Sequence, residues 1–190
     1  MQRCPWPGDD ELMTRYHDEE WGVPLHDDAR LFEFLVLESA QAGLSWRTIL
    51  RKRENYRRAL HGFDYHKIAR YTQRDVTRLL NDAGIIRNRL KIAATINNAQ
   101  RFLEIQSEFG SFDAYIWGFM EKRRPLVNKL TSLGELPART ELSDRISLDM
   151  KKRSFKFMGS TIVYAHMQAT GMVNDHLTSC FRHKQCARCV

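Results

Sequence analysis

The chain has 190 residues, of which 43% are hydrophobic, 11% aromatic and 28% charged, a composition that excludes a fibre or a disordered tail and fits one core or two closely packed lobes. No run approaches the roughly 18 uncharged apolar residues of a membrane span, and the opening MQRCPWPGDD has neither the basic nor the apolar region of a signal peptide, so a cytoplasmic protein with no membrane partner is expected. Thirty Lys and Arg against 23 Asp and Glu give +7, which tilts the choice of partner toward polyanions, nucleic acid first, while Cys4, Cys180, Cys186 and Cys189 are too few for a disulfide framework.

Apolar residues recur at three- and four-residue steps almost throughout, and nothing alternates over a strand's length, which predicts an all-α protein. After Asp27 and Asp28, either of which can serve as N-cap, ARLFEFLVLESAQA puts Leu31, Phe34, Leu35 and Ala42 on one helical face. Ser45 can cap a helix from about Trp46 to Leu60, which Gly62 stops. Asp64 then caps a short helix through Tyr71, and Thr72 with Asp75 has capping-box spacing before VTRLLNDA. Gly84 takes the C′ position, and helical periodicity resumes within three residues in GIIRNRLKIAATINNAQRFLEIQSEF, a very tight hairpin near residues 82–91. Ser111 can cap SFDAYIWGFM. The stretch from Pro125 to Thr140, with Gly134 and Pro137, is irregular and is the expected boundary between the lobes. SDRISLDMKKR and GSTIVYAHMQATG read as two further helices. Residues 1–180 are thus read as a single domain of two closely packed helical lobes, and residues 181–190 as a C-terminal tail.

Glu38 is the first residue that resists a purely structural reading, because it follows Phe34 by four and Leu35 by three and so lies on the apolar face. Such a carboxylate is either solvated at the rim or buried in a cavity at a cost of several kcal/mol. Trp6, Tyr16, Trp21 and Trp46 cluster in the first fifty residues, either as core or as the walls of a pocket for a flat cationic ring. His176 and Cys180 have the spacing of one helical turn and make half a zinc site; Cys4 and His17 could complete a Cys2His2 set, and Cys186 with Cys189 forms a competing CxxC. Spacing leaves that choice open. Arg87, Arg89 and Lys91 beside the hairpin, and Lys151, Lys152, Arg153 and Lys156, are each either phosphate contacts or solvated helix faces.

The segments RCPW from Arg3, YHDEEWGVP from Tyr16, LFEFLVLESAQAGLSWRTILRKRENYR from Leu31, DAGIIRNRLKI from Asp82 and KKRSFKFMGSTIVYAHMQATGMVNDHLTSC from Lys151 together resemble the bacterial 3-methyladenine DNA glycosylase I family. QAGLSW, residues 41–46, and GxVNDH, residues 171–176, are its most specific motifs. The resemblance implies a helix-hairpin-helix glycosylase fold whose hairpin, around Gly84 to Arg87 with Arg89 and Lys91, grips the backbone of alkylated double-stranded DNA. It also implies a structural zinc on Cys4, His17, His176 and Cys180 joining the N- and C-terminal segments, with Cys186 and Cys189 outside the site. The family's base pocket maps onto Trp6, Tyr16, Trp21, Glu38 and Trp46, with Glu38 as the catalytic group, and Gly43 and Leu44 match the loop that fills the gap left in the stack. The implied activity is monofunctional hydrolysis of the N-glycosidic bond of 3-methyladenine in base excision repair, by a monomer that releases the free base. Four departures stand out: AGIIRN lacks the superfamily's second glycine, no aspartate lies between Asp82 and Asp113, Met13 replaces a frequent pocket tyrosine, and Ser154 replaces a glycine.

Overall fold

The computed structural model describes residues 2–188. Ten α-helices account for most of them: α1 (Glu11–Glu19), α2 (Asp28–Gln41), α3 (Trp46–Ala59), α4 (Tyr65–Ile68), α5 (Gln73–Leu80), α6 (Arg89–Phe109), α7 (Phe112–Trp117), α8 (Glu141–Lys152), α9 (Ser160–Ala169) and α10 (Phe181–Cys186). Among the described residues no helix is long and apolar enough to cross a membrane. Two two-residue strands, β1 (Leu126–Val127) and β2 (Val173–Asn174), pair in parallel, so the molecule is mostly rather than wholly helical.

The caps expected from spacing form. Asp27 accepts from Arg30 N–H, Ser45 from Thr48, Asp64 from Lys67 and Ser111 from Ala114, while Thr72 N–H donates to Asp75 in a capping box. These are local devices. Four features differ from the sequence reading. Helix α1, capped by Asp10 on the N–H groups of Leu12 and Met13, carries no apolar period that sequence reading detected. Helix α5 ends at Asn81 with no left-handed glycine, and α6 begins only at Arg89 with Asn88 as N-cap. The hairpin is therefore an open loop rather than a tight turn. Gly84 allows a close approach there instead, since a Cβ would lie 2.9 Å from Asp82 Oδ1 and 3.1 Å from the Asn55 side chain. His176 to Cys180 is a turn, not helix, closed by Cys180 N–H donating to Leu177 C=O at 2.7 Å. Residues 181–186, expected as tail, form α10 with Cys186 buried; Cys189 lies outside the described residues.

Helix α2 is the axis of the core. All ten residues from Leu31 to Ala40 are buried, because α3, α6, α7 and α9 pack around it. A helix enclosed on all sides has no solvated face, so the single apolar face expected from its sequence becomes a full circumference. That circumference includes two carboxylates, Glu33 and Glu38. A second, smaller apolar cluster joins Cys4, Met13, Tyr16, Trp21 and Phe34 to Leu177 and Cys180, so both ends of the chain meet against one side of α2.

Candidate active site and metal centre

The two buried carboxylates of α2 have opposite surroundings. Glu33, 3% exposed, is saturated: Arg53 Nε and Arg57 Nη2 each donate to it at 2.7 Å, and Arg30 Nε lies at 3.3 Å. Arg53 also donates to Glu20 at 2.8 Å and covers the Phe34 ring. Burial is offset there by paired charge. Glu38, 4% exposed, has no hydrogen-bond or ion-pair partner among the described residues, and burial pushes its carboxyl up to about 8. Burial favours the protonated carboxyl of Glu38 at neutral pH, and a cation placed beside it would draw the proton off.

Glu38 lines a cavity of about 280 Å³ together with Trp6, Tyr16, Trp21 and Trp46, so the structure brings all five expected pocket residues together. Trp6 meets Trp21 edge to face at 5.1 Å between centroids, and Tyr16 packs obliquely on Trp46 at 5.2 Å. Tyr16 is fully buried, and burial followed by the Glu38 charge keeps its phenol well above the usual tyrosine range. Met13 supplies apolar wall. Sequence reasoning missed Gln41, Leu133, Leu136, Ala165 and Gln168, which complete the lining. Leu133 and Leu136 come from the irregular stretch, where no period could flag them. Gln168 is oriented by Asp175: its amide nitrogen donates to the carboxylate at 2.8 Å, and because a carboxylate only accepts, the flip of the amide is set. Asp175 is itself fully engaged, taking further bonds from Tyr164 O–H and Asn128 at 2.6 Å each.

Beside the pocket, Cys4, His17, His176 and Cys180 are all buried, with their ligand atoms within 4.8 Å of one another. The thiol sulfurs lie 3.5–3.7 Å from the imidazole nitrogens: Cys180 to His17 Nε2 at 3.5 Å, Cys180 to His176 Nδ1 at 3.6 Å and Cys4 to His176 Nδ1 at 3.7 Å. A tetrahedral zinc with Zn–S of about 2.3 Å and Zn–N of about 2.0–2.1 Å requires sulfur–nitrogen separations of about 3.5 Å, so the residues present fit that ion. Their outer partners fit too. His17 Nδ1 lies 2.7 Å from Asp18, which Arg3 holds at 2.9 Å, and His176 Nε2 donates to the Trp21 carbonyl at 2.9 Å, leaving the remaining ring nitrogens to face the sulfurs. Burial lowers His176 to about 3, keeping it in the neutral, ligating form, and raises the Cys4 thiol to about 12. Gly22 is a further residue the site needs: at φ +76° a Cβ would come within 3.0 Å of the His176 ring. Cys186 is buried nearby but outside the four-residue group.

The expected DNA-contacting residues separate into two sets. Gly43, at φ +76°, and Leu44, 38% exposed, form the loop between α2 and α3 at the cavity's edge. Arg87 and Arg89 are exposed, and neither side chain has a hydrogen-bond or ion-pair partner among the described residues. Gly84 is held by α3, its carbonyl accepting from Lys52 at 3.2 Å and Asn55 at 3.3 Å. Lys91 departs from the expected phosphate contact: its ammonium donates into the protein, to the carbonyls of Ala40 at 2.8 Å and Ala42 at 2.7 Å.

Comparison with known proteins places this geometry. Residues 6–183 match the sequence family described as methyladenine glycosylase. DNA-3-methyladenine glycosylase 1 of Escherichia coli (strain K12) is 49% identical over 180 residues, covering 95% of this chain and 96% of the relative. A crystal structure of 3-methyladenine DNA glycosylase I superposes with a TM-score of 0.92 at 49% identity, over 95% of this chain and 98% of that one. The structure that describes 3-methyladenine recognition by the Staphylococcus aureus 3-methyladenine DNA glycosylase I gives 0.91 at 35% identity, over 95% and 96%.

Proposed function

The chain belongs to the methyladenine glycosylase family, and from that premise we propose that it is a monofunctional DNA glycosylase that hydrolyses the N-glycosidic bond of 3-methyladenine in alkylated duplex DNA, the opening step of base excision repair in the cytoplasm. The observation that carries the reading is the contrast on α2: Glu33 is neutralised by three arginines, whereas Glu38 is buried among aromatic rings with no partner among the described residues. An unmatched buried carboxyl in a ring-lined cavity is costly unless an occupant supplies the missing positive charge. Methylation at N3 supplies it.

The chemistry follows from that charge. The C1′–N9 bond breaks with its electron pair moving onto the cationic purine, which departs neutral; water adds to the oxocarbenium carbon and loses a proton. The leaving group is already activated, so the protein's part is to extrude the nucleotide, at a cost of a few kcal/mol that damage reduces, and to hold it in place. Trp6, Trp21, Tyr16 and Trp46 line the cavity, and a cationic ring stacked on the face of one of them gains about 0.5–2 kcal/mol. Glu38 ionises beside the bound cation and stabilises the positive charge that passes from base to sugar, as an electrostatic rather than a proton-abstracting group. Unmethylated adenine, being neutral, gains little from such a site.

Leu44 on its glycine-hinged loop fills the space vacated in the stack, and the loop between α5 and α6 serves as the helix-hairpin-helix grip on backbone phosphates through Arg87, Arg89 and the backbone near Gly84. Zinc, held by Cys4, His17, His176 and Cys180, would cross-link the chain ends and supply no reaction step. The protein acts as a monomer whose product is the free base. Chromatography of bases released from methylated duplex DNA tests the reading: release of 3-methyladenine but not 7-methylguanine is expected, falling by about 10²-fold or more in Glu38→Gln. No release from a folded protein would sink it and leave a DNA-binding module.

A further inference from the structure

We infer that Lys91 is a positioning residue that locks the loop bearing Leu44 to the start of α6, so that the phosphate-gripping hairpin and the base pocket keep a fixed spacing; this rests on the glycosylase reading above. The last carbonyls of a helix lack internal partners and carry the negative end of its dipole. Helix α2 has no basic residue in its own last turn, and the two carbonyls that Lys91 takes, Ala40 and Ala42, are those that end it. Lys91 itself stands in the first turn of α6, where a cation opposes the dipole of its own helix. Its position is therefore unfavourable for α6 and favourable for α2. No carboxylate pairs with it among the described residues, and the side chain is half-buried, so the carbonyl pair is what satisfies its charge.

What Lys91 holds is the segment that must move least. Immediately after Ala42, the chain turns through Gly43 and Leu44; Leu44 N–H donates to Gln41 C=O at 2.7 Å, and the Gln41 side-chain amide donates to Leu44 C=O at 2.8 Å. Gln41 also lines the cavity, and Glu38 lies one turn back on α2. At the other end, Lys91 follows Arg87 and Arg89 by four and two residues, and the hairpin before it is anchored to α3 by Lys52, Asn55 and the Tyr56 hydroxyl, which accepts from Ile86 N–H at 3.1 Å. Lys91 thus spans the gap between the two parts that must engage one nucleotide together, with no contact to DNA of its own.

The test compares Lys91→Met, which keeps most of the stem, with Lys91→Arg, which can donate to both carbonyls, and uses Arg87→Ala as the phosphate-contact control. Single-turnover base release from methylated duplex is expected to fall by ~10-fold or more in Lys91→Met, since small misplacements carry such costs, and to recover in Lys91→Arg. The salt dependence of duplex binding should be unchanged in Lys91→Met, while Arg87→Ala lowers its slope by about one. Affinity for free 3-methyladenine, read by tryptophan quenching, should stay within about twofold, because the aromatic walls are untouched. Hydrogen exchange at the Leu44 amide should accelerate in Lys91→Met, and this readout does not depend on activity, so it stands even if the wild-type protein releases no base and the glycosylase reading fails. Should Lys91→Met not fold, Lys91→Gln takes its place. A salt slope lowered as in Arg87→Ala, or unchanged exchange at Leu44, overturns the inference.

Discussion

Glu38 makes the protein's stability depend on pH in a defined direction. Its folded pKa of about 8 exceeds the ordinary glutamate value of 4.5, so between those values the native state binds more protons than the unfolded one. Stability from this group is complete below about pH 4.5 and is lost as pH rises through 8, by an amount on the order of a few kcal/mol. Glu38→Gln should therefore be more stable than wild type at pH 9 in urea denaturation, with the gap closing toward pH 5; equal pH slopes would contradict the burial argument. His166 runs the other way. It is fully buried on α9, neither ring nitrogen has a partner among the described residues, and burial lowers its pKa from 6.5 to about 4. Here the unfolded chain binds the extra proton, so stability falls as pH drops from 6.5 toward 4. His166→Phe should flatten that limb and, by removing orphaned polar atoms, gain about 1–3 kcal/mol at neutral pH. Glu38 stood out in the sequence because a carboxylate interrupted an apolar face. Nothing in the sequence separated His166 from an ordinary helix position, because only the surrounding elements decide whether a histidine has partners.

At the level of helices and turns, local chemistry was readable and distant contacts were not. The serine, threonine and aspartate caps of α2, α3, α4, α5 and α7 each join residues three apart, and spacing exposes them. The end of α8 shows the limit. Ser154 follows its C-cap at φ +66°, the left-handed region that favours glycine. Its backbone contacts, N–H to Lys151 C=O at 2.9 Å and C=O from Asn97 at 2.8 Å, do not involve the hydroxyl. Ser154→Gly should then stabilise the protein by about 1 kcal/mol, seen as a higher Tm with unchanged base release; a lower Tm would show that the hydroxyl matters. The stretch after Pro125 was legible as irregular, yet its role was not: Leu130 C=O accepts from Thr178 N–H at 2.8 Å, which fastens the following loop to the turn between His176 and Cys180, and Leu133, 36% exposed, lines the cavity. The connection between α5 and α6 departs from a tight hairpin for a related reason. Its glycine answers to Asn55 on α3, a contact that a helix-stop rule does not contain.

Across the whole molecule, the Cys4, His17, His176 and Cys180 cluster and the pocket are one construction, since His176 holds the Trp21 carbonyl and Trp6 packs on the His17 ring at 5.3 Å. Removing zinc with a chelator is expected to lower Tm and weaken 3-methyladenine binding together. One zinc per chain is expected in wild type and in Cys186→Ser, and none in Cys4→Ser; the reverse pattern would falsify the four-ligand assignment. The sequence by itself determined where most helices begin, that a carboxylate lies on the apolar face of α2, and, through QAGLSW and GxVNDH, the family. Those are properties of short segments, set by caps, periodicity and contiguous motifs. Only the tertiary structure decided that Glu33 is paired with arginines while Glu38 lacks a partner among the described residues, that two cysteines and two histidines distant in sequence close on a volume fit for one ion, and that Lys91 faces α2 instead of solvent. Each of these depends on which charges and dipoles meet across elements, and such meetings are fixed by how the helices pack around α2.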